Sequence, residues 1–312
     1  MGLPRVVAFG GGHGLAATLM ALKRLTDQVT AVVTVADDGG SSGRLRREFG
    51  CLPPGDLRMA LAALTGDDSE GRLWAEVLQS RFGGDGPLGG HALGNLLIAA
   101  LWQRDPDPVT GLDRVGRLLD AQGRVLPMSA LPLVISADVV GLAASHPDEI
   151  SRLTGQANIA TTDAQVLQVY LDPADPPACP EAVASIDQAD YLVFGPGSWF
   201  TSVVPHLLVP ELTAAILRSR AKKICLLNLL PAGETSGFTP SRHIEVLAEH
   251  CPQLTLDTVV ADPCFADQDQ HLKTMVESMR AELLVADVRM RDGSARHDPF
   301  LLAATLAVVM EL

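Results

Sequence analysis

Positive charge is scarce in this sequence. Its 312 residues include 24 Lys and Arg against 37 Asp and Glu, which gives a formal net charge of −13. Nucleic acids and anionic membranes attract positively charged surfaces, so the composition argues against either as the main partner. A phosphorylated small ligand stays compatible with it, because backbone N–H groups bind phosphate without a side-chain cation.

Cysteine pairs and long apolar runs are also lacking. The five cysteines form no Cys-x-x-Cys motif, which disfavours a disulfide framework or a zinc site and is typical of reduced thiols in a cytosolic protein. The longest apolar run near an end, residues 300–310, is too short to span a bilayer, and the chain enters a predicted strand without room for a signal peptide. We therefore expect a cytoplasmic protein without membrane insertion.

Apolar strands and helices alternate almost from end to end. Runs of this kind are typical of buried parallel strands, and a strand–helix–strand unit places its two strands parallel. We predict a single Rossmann-like domain over residues 1–312, an α/β fold with a doubly wound, mostly parallel sheet and a small β-rich insertion at about 131–172. The predicted parallel strands are residues 5–9, 30–36, 191–194, 224–230, 254–260 and 283–288.

A glycine-rich loop follows the first predicted strand. It consists of Gly10, Gly11, Gly12, His13 and Gly14. The loop lets backbone N–H groups approach a ligand, and the helix behind it adds roughly half a positive charge, so the pattern favours phosphate. It is not a dinucleotide fingerprint, because Leu15 takes the last glycine position, and no Lys-Ser or Lys-Thr pair completes a Walker loop. The alternative is that the glycines only allow the helix to pack closely on the strand.

The second predicted strand ends at a pair of acids. Asp37 and Asp38 lie where doubly wound folds commonly place an acid that hydrogen-bonds a ribose hydroxyl. The next candidates supply flexible backbone, hydroxyls and a cation: Gly39, Gly40, Ser41, Ser42 and Arg44. A solvated turn explains this segment equally well when it is taken alone, but the glycine loop beside it favours a ligand site.

Three polar residues in predicted helices are further candidates. Asp56 and Arg58 lie at the start of a helix that follows two prolines, and Asp56 on its own also fits an N-cap. Asn95 lies in a helix otherwise filled by Leu and Ala, where a buried amide needs a partner. A structural hydrogen bond and a ligand contact both remain open for Asn95.

A second glycine loop repeats the strand-to-helix pattern. Its candidate residues are Gly195, Gly197, Ser198, Thr201 and Ser202. Hydroxyls near a helix N-terminus cap the helix or bind anions. Two such loops in one parallel sheet predict a crevice at the topological switch point, bounded by both loops. The spacing reveals no nucleophile–base–acid arrangement and no metal-binding motif, so we assign no catalytic residue and no metal ligand.

These motifs resemble the YvcK-type proteins, whose superfamily includes the 2-phospho-L-lactate transferases (CofD). The matching segments are residues 10–15, 34–46, 53–58, 90–96, 195–202, 228–235 and 296–298. They follow one another in order along nearly the whole chain, which makes the resemblance specific.

The resemblance implies a Rossmann-like fold with a nucleotide site in the crevice. It also implies binding of a UDP-activated sugar, such as UDP-N-acetylglucosamine, and a role in cell-wall formation, cell shape and growth on gluconeogenic carbon. Asn228 and Arg296 join the ligand-binding set on this ground, with Arg296 closing the crevice over the phosphates. A Mg²⁺ ion bridging a diphosphate is compatible with such a ligand, and we expect a homo-oligomer such as a dimer.

Two departures from the family pattern concern single residues. His13 stands where many relatives carry Thr, which alters one expected phosphate contact. Pro299 stands where relatives often carry Thr, so hydroxyl-based regulation at that position is absent.

Two enzymatic alternatives stay open. One is a phospholactate transferase acting on a deazaflavin or a related acceptor. Transferases of the superfamily carry a Pro-Asp-Leu-Asp-like stretch where this chain has Ser-Ser-Gly-Arg-Leu-Arg at 41–46, which weakens that reading. A nicotinamide dehydrogenase is weakened by the incomplete fingerprint and by the lack of a proton-relay pair. The favoured interpretation is a non-catalytic regulator that binds a nucleotide sugar.

Overall fold

The chain forms one parallel sheet, one smaller antiparallel sheet and the helices that cover them. The structure is a computed structural model, and it describes residues 2–105, 107–143 and 145–312. The strands, in chain order, are β1 (Val6–Gly10), β2 (Val29–Val33), β3 (Arg124–Pro127), β4 (Val134–Val140), β5 (Ile150–Thr154), β6 (Gln165–Asp172), β7 (Tyr191–Phe194), β8 (Lys222–Leu226), β9 (Thr258–Ala261) and β10 (Glu282–Val285).

The helices alternate with these strands over most of the chain. They are α1 (Gly12–Leu22), α2 (Gly40–Phe49), α3 (Pro54–Ala63), α4 (Ser69–Gln79), α5 (Leu93–Arg104), α6 (Pro108–Leu118), α7 (Gln156–Ala160), α8 (Pro180–Gln188), α9 (Pro210–Arg218), α10 (Pro240–His250), α11 (Pro263–Ala266), α12 (Leu272–Ser278) and α13 (Pro299–Val309). A π-helical turn spans Trp199–Val203, and 3₁₀ turns span Val204–Leu208 and Gly233–Thr235. Among the described residues, no single helix is long and apolar enough to cross a membrane; only Trp199–Leu208 and Pro210–Arg218, bent by 80°, reach that length and composition as a pair.

The parallel sheet has seven strands in the order β10-β9-β8-β7-β1-β2-β3. The chain builds outward from β1 through β2 to β3, and then returns to the other side of β1 with β7 and continues to β10. The direction of winding therefore reverses between β1 and β7, which is the switch point of a doubly wound sheet. The fold class predicted from the sequence is confirmed.

The central strands of this sheet are buried on both faces, which is why their apolar runs in the sequence predict them. All five residues of β1 are buried, and Phe9 of β1 stacks on Phe194 of β7 with ring centroids 4.9 Å apart. Helices cover both faces of such sheets, so the strands are continuous apolar runs. The two strands that flank the switch point are therefore held together by their own side chains.

The small sheet is antiparallel, in the order β5-β4-β6. It lies within residues 134–172, in the region that the sequence marks as β-rich. Along β4, the alternate residues Ile135, Ala137 and Val139 are fully buried, as expected of a strand with one covered face. The short helix α7 joins β5 to β6.

Some of the predicted element bounds are wrong. β2 ends at Val33 instead of Ala36, and β8 ends at Leu226 instead of Leu230, because the chain leaves the sheet early to enter the cleft loops. The pattern also misses β3 and β5. β3 is a four-residue edge strand, and β5 is partly or fully exposed along its length, so both carry a weak apolar signal.

Candidate functional site

The two glycine loops lie side by side at the switch point. A β-carbon on Gly14 would overlap the carbonyl oxygen of Pro196, so only glycine allows this approach. Thr18 Oγ1 donates to the carbonyl of Gly195 at 3.1 Å and ties α1 to the second loop. The predicted crevice between two strand–loop–helix units is therefore present in the fold.

Asn228, two residues after the end of β8, holds the second loop. Its Oδ1 accepts from the N–H of Gly197 at 2.9 Å, and its Nδ2 donates to the carbonyl of the same residue at 3.0 Å. Both polar groups of the amide are thus occupied by backbone. The structure gives Asn228 the geometry of a positioning residue.

Asp56 lies against the start of α1. A β-carbon on Gly11 would overlap Asp56 Oδ2 and lie 2.8 Å from Thr34 Oγ1. Thr34 Oγ1 donates to the same Oδ2 at 3.4 Å, and the carboxylate lies where a helix N-terminus favours negative charge. Burial and the nearby charge of Asp37 raise the pKa of Asp56 to about 7, so this carboxyl exchanges a proton near neutral pH.

The two acids after β2 face different neighbours. Asp37 Oδ1 accepts from the N–H of Gly39 at 2.9 Å, and the charge of Asp37 is felt at Asp56. Asp38 Oδ1 accepts from the N–H of Ala157 at 3.1 Å, so it caps the start of α7 in the small sheet's segment. The structure thus places Asp37 near Asp56 and assigns Asp38 to the contact with α7.

The serines that follow are buried and hydrogen-bonded. Ser42 Oγ accepts from the N–H of Gly55 at 3.0 Å and fixes the start of α3. Ser41 Oγ lies 2.9 Å from His91 Nδ1 and accepts from Asn95 Nδ2 at 3.0 Å. These bonds hold the first turn of α2 against α3 and α5, and they supply a structural partner for the Nδ2 of Asn95.

Arg44 and Arg58, the two predicted cationic residues of this region, have different hydrogen-bond partners. Arg44 donates to the carbonyl of Gly89 at 2.7 Å and to that of Pro87, so its guanidinium is committed to the loop before α5. Arg58 is only 4% exposed, and its Nε and Nη1 lack a hydrogen-bond partner among the residues that the structure describes. The structure does not bring Arg44 to the crevice between the glycine loops.

The turn after the second glycine loop reaches the first one. Ser202 is buried, and its Oγ would lie 3.2 Å from a β-carbon on Gly11. Ser198 is exposed and its carbonyl accepts from the N–H of Ser202 at 2.8 Å. Thr201 is fully buried, and its carbonyl accepts from Gln156 of α7 at 3.3 Å.

A cavity of about 470 Å³ opens beside the glycine loops. The predicted site residues that line it are His13, Gly14, Gly197, Asn228 and Arg296. Arg296 is 68% exposed and pairs with Asp292, with Nη2 and Oδ2 2.9 Å apart. His297, also in the lining, is kept neutral because burial lowers its pKa to about 4.

An apolar wall of the cavity has no counterpart in the sequence-based prediction. It is formed by Met20, Met59, Leu229, Leu230 and Met290. These residues come from four separate parts of the chain, and none of them is among the predicted site residues. A methionine-rich wall adapts to ligands of varied shape.

Fold and cleft together define the class: a doubly wound α/β protein whose glycine loops meet at the switch point. The family model described as "2-phospho-L-lactate transferase CofD" matches residues 6–295. A putative gluconeogenesis factor of Mycobacterium tuberculosis is 53% identical over 306 residues, covering 96% of this chain and 89% of that protein. The chain belongs to the CofD-like superfamily and, within it, to the gluconeogenesis factor (YvcK-type) family.

More distant relatives agree with this assignment. The gluconeogenesis factor of Bacillus subtilis is 34% identical over 278 residues, covering 89% of this chain and 84% of that protein. A crystal structure of a member of the UPF0052 family from Bacillus halodurans superposes with a TM-score of 0.85 at 32% identity, covering 98% of this chain and 99% of that chain.

Proposed function

We propose that this protein binds a nucleotide sugar, UDP-N-acetylglucosamine or a close relative, in the switch-point cleft. In this proposal, the bound protein regulates cell-wall formation, cell shape and growth on gluconeogenic carbon in the cytoplasm. The observation that carries the binding proposal is the approach of Gly14 to Pro196, which aligns two loop backbones at the mouth of the cavity. The relatives named gluconeogenesis factor support the physiological part.

The diphosphate is proposed to lie over the first glycine loop. The N-cap of α1, Gly11, has no side chain, and Asp56 lies beside it, so the N–H groups of His13 and Gly14 are proposed to bind the anion. Gly197, whose N–H and carbonyl are both bonded to Asn228, holds the second loop on the opposite side. The methionine-rich wall is proposed to take the base or the sugar, and Arg296 lies at the rim.

A magnesium ion fits this arrangement as an accessory to the diphosphate. Asp37 and Asp56 are the two carboxylates close enough for the charge of one to raise the pKa of the other, a repulsion that a cation would relieve. Within the described ranges, no group of three or more His, Cys, Asp or Glu side chains could hold a metal ion. Mg²⁺ commonly binds through one or two carboxylates plus phosphate oxygens and water, which matches this set.

The transferase reading is the second candidate, because the matching family model bears that description. Residues 41–46 depart from the acidic stretch expected of those enzymes. In this fold Ser41 and Ser42 instead form hydrogen bonds that fix α3 and α5. We therefore propose a binding protein and assign no catalytic residue.

The protein is also proposed to act as a homo-oligomer such as a dimer. The supporting feature is an apolar stripe at helical spacing on α13, with Phe300 68% and Val308 72% exposed. Exposed apolar patches of this kind commonly mark interaction surfaces.

UDP-N-acetylglucosamine is expected to raise the melting temperature of the protein by several degrees. A ligand at a hundredfold excess over its dissociation constant stabilises the folded state by about 2.7 kcal/mol. For chains of this size, each kcal/mol shifts the melting temperature by about 2–4 °C. A thermal-shift series with UDP-sugars, GDP, NAD and the deazaflavin Fo, with and without magnesium, measures the effect. Stabilisation by Fo with no response to any UDP-sugar would favour the transferase, and a response to NAD alone would favour a dehydrogenase.

Arg296→Ala is expected to weaken UDP-sugar binding by about 1.5–3 kcal/mol, the usual worth of a charged hydrogen bond. Its stability without ligand should change by less than about 0.5 kcal/mol, because the side chain is exposed. Calorimetric titration of the folded variant measures the dissociation constant. Arg291→Ala is the matched control, since Arg291 is exposed in the same segment and lies outside the cavity lining. An unchanged dissociation constant in Arg296→Ala would show that Arg296 only forms its surface ion pair with Asp292.

A further inference from the structure

One corner of the cavity is built by helices alone. Ala16 and Met20 of α1, Met59 of α3 and Gln79, the last residue of α4, all line the cavity. These four residues form the helical corner. Ala16 and Met20 are four residues apart and therefore lie on the same face of α1. The proposed function leaves open whether this corner meets the base or the sugar of the ligand.

The helices α1 and α3 of this corner run side by side. At their starts, a β-carbon on Gly11 would overlap Asp56 Oδ2. At their ends, Lys23 Nζ donates to the carbonyl oxygen of Thr65 at 2.5 Å. The two helices therefore run in the same direction, and a ligand held at the first glycine loop can extend along both of them.

The end of α4 returns to the start of α3. A short connection joins the two helices, which pack against each other. A β-carbon on Gly94 of α5 would lie 2.8 Å from Arg58 Cγ and 2.9 Å from Leu78 Cδ2, so these two side chains meet. They directly precede Met59 and Gln79 in the sequence, which places Met59 and Gln79 close together at the cavity.

The far end of the helical corner is less than two helical turns from the first glycine loop. Met20 is six residues after Gly14, which is about 9 Å further along α1. Met59 is three residues after Asp56, about 4.5 Å along α3. A ribose therefore fits between a diphosphate at Gly14 and a base in the helical corner.

The chemistry of the helical corner suits a base better than a sugar. A sugar carries hydroxyl groups around its ring, and a buried hydroxyl needs a hydrogen-bond partner. A nucleobase has two apolar faces and one polar edge. Methionine sulfur makes favourable contacts with aromatic rings, and Met20 and Met59 supply two such side chains. Gln79 is the single polar member of the corner, which matches the single polar edge of a base.

The cavity lining contains two amide side chains, and they differ in their partners. Asn228 has both of its polar groups bonded to the backbone of Gly197. Gln79 is exposed, and its amide has no hydrogen-bond partner among the residues that the structure describes. A glutamine amide offers an acceptor and two N–H donors. The uracil edge presents an N–H donor between two carbonyl acceptors, so one amide pairs with a donor and an acceptor of this base together.

We propose that the helical corner binds the base of the nucleotide and that Gln79 recognises the edge of that base. This inference rests on the proposed function and fixes which end of the ligand lies against α1 and α3. Glutamate at the position of Gln79 would offer acceptors only. Guanine matches two acceptors, because its N1–H and its amino group are neighbouring donors, whereas the carbonyl groups of uracil would face a carboxylate.

The test is the change in base preference that Gln79→Glu causes. UDP and GDP share the ribose and the diphosphate and differ in the base, so any general effect of the added charge cancels between them. By calorimetric titration, the ratio of the GDP to the UDP dissociation constant should be about tenfold lower in Gln79→Glu than in the wild-type protein, which lies within the usual discrimination by a paired base edge. If GDP binds neither protein, the loss of UDP affinity relative to that of inorganic pyrophosphate decides.

Gln188→Glu is the matched control. Gln188 ends α8 as Gln79 ends α4, is exposed, and lies outside the lining of the cavity. This variant adds the same charge at the end of a helix, so it should melt as Gln79→Glu does and keep the wild-type ratio. An equal change of the ratio in both variants would overturn the inference.

The outcomes distinguish this inference from the proposed function. If the wild-type protein binds UDP-N-acetylglucosamine and Gln79→Glu leaves the base preference unchanged, the assignment of the base is wrong and the proposed function stands. Equal losses of UDP, GDP and pyrophosphate in Gln79→Glu would place Gln79 beside the diphosphate and also overturn the assignment. If the wild-type protein binds neither UDP-N-acetylglucosamine nor UDP, the proposed function and this inference are both wrong.

Discussion

Gly14→Ala is expected to lower the free energy of unfolding by about 3 kcal/mol and to abolish nucleotide-sugar binding, because overpacking at a rigid contact has costs of this order. The new methyl group would overlap the carbonyl oxygen of Pro196, which is backbone and cannot rotate away. Relief requires the two glycine loops to separate, and that separation removes the surface on which the diphosphate is proposed to lie. Helix propensity alone predicts the opposite sign, since Ala is about 1 kcal/mol better than Gly within a helix.

The matched control for this change is Gly83→Ala. A β-carbon on Gly83 meets nothing within 4 Å among the described residues, so the variant should fold and bind as the wild-type protein does. Chemical unfolding and calorimetric titration of both variants measure the two effects. A Gly14→Ala protein that matches Gly83→Ala in stability and affinity would show that close contact between the loops is not required.

Between pH 4.5 and pH 7, the ionisation of Glu234 is expected to lower the free energy of unfolding of the wild-type protein by about 3 kcal/mol, and Glu234→Gln is expected to abolish this decrease. The magnitude follows from the raised pKa of Glu234, at about 1.36 kcal/mol per unit. Glu234 is 4% exposed, and burial raises its pKa to about 7, although its Oε1 accepts from the N–H of Phe200 at 2.8 Å. The folded state therefore binds a proton more tightly than the unfolded state. Stability from this group is complete below about pH 4.5 and is lost as the pH rises through 7.

Unfolding curves of the wild-type protein and of Glu234→Gln across this pH range check the prediction. The stability of the variant relative to the wild-type protein should increase as the pH rises from 4.5 to 7 and then level off. Glu149→Gln, at an exposed position, should leave the wild-type profile unchanged. Parallel profiles for the wild-type protein and Glu234→Gln would mean that Glu234 ionises normally and that the turn at Trp199–Val203 does not depend on its protonation.

The parallel strands were the part of the fold most open to prediction. β1 and β7 are short, wholly apolar and followed directly by glycine, so the hydrophobic pattern and the turn-forming glycine both predict a buried strand that ends there. β3 and β5 lie at the edges of their sheets and depend on neighbours that are distant in sequence. The local pattern of an edge strand contains little of the information that decides its pairing.

The candidate site residues also differ in how well the sequence predicts their position. Gly14 and Gly197 line the cavity because the loops after β1 and β7 leave the same edge of the parallel sheet. Arg44 does not reach the cavity, because the Gly-rich segment before α5 offers carbonyl groups that satisfy its guanidinium first. The methionine-rich wall has no motif in the sequence: Met20 and Met59 lie in helices, where methionine is usually core, and Met290 lies outside the helices.

The sequence by itself determined the doubly wound class, the two glycine loops, the acids after β2 and the family, because each depends on residues that are adjacent along the chain. Only the tertiary structure decided that Gly14 touches Pro196, that Asp37 and Asp38 face different neighbours, and that Arg58 is buried without a described partner. Those relations join segments tens to hundreds of residues apart. They follow from how the strands are ordered in the sheet and how the helices pack, which no local pattern of residues contains.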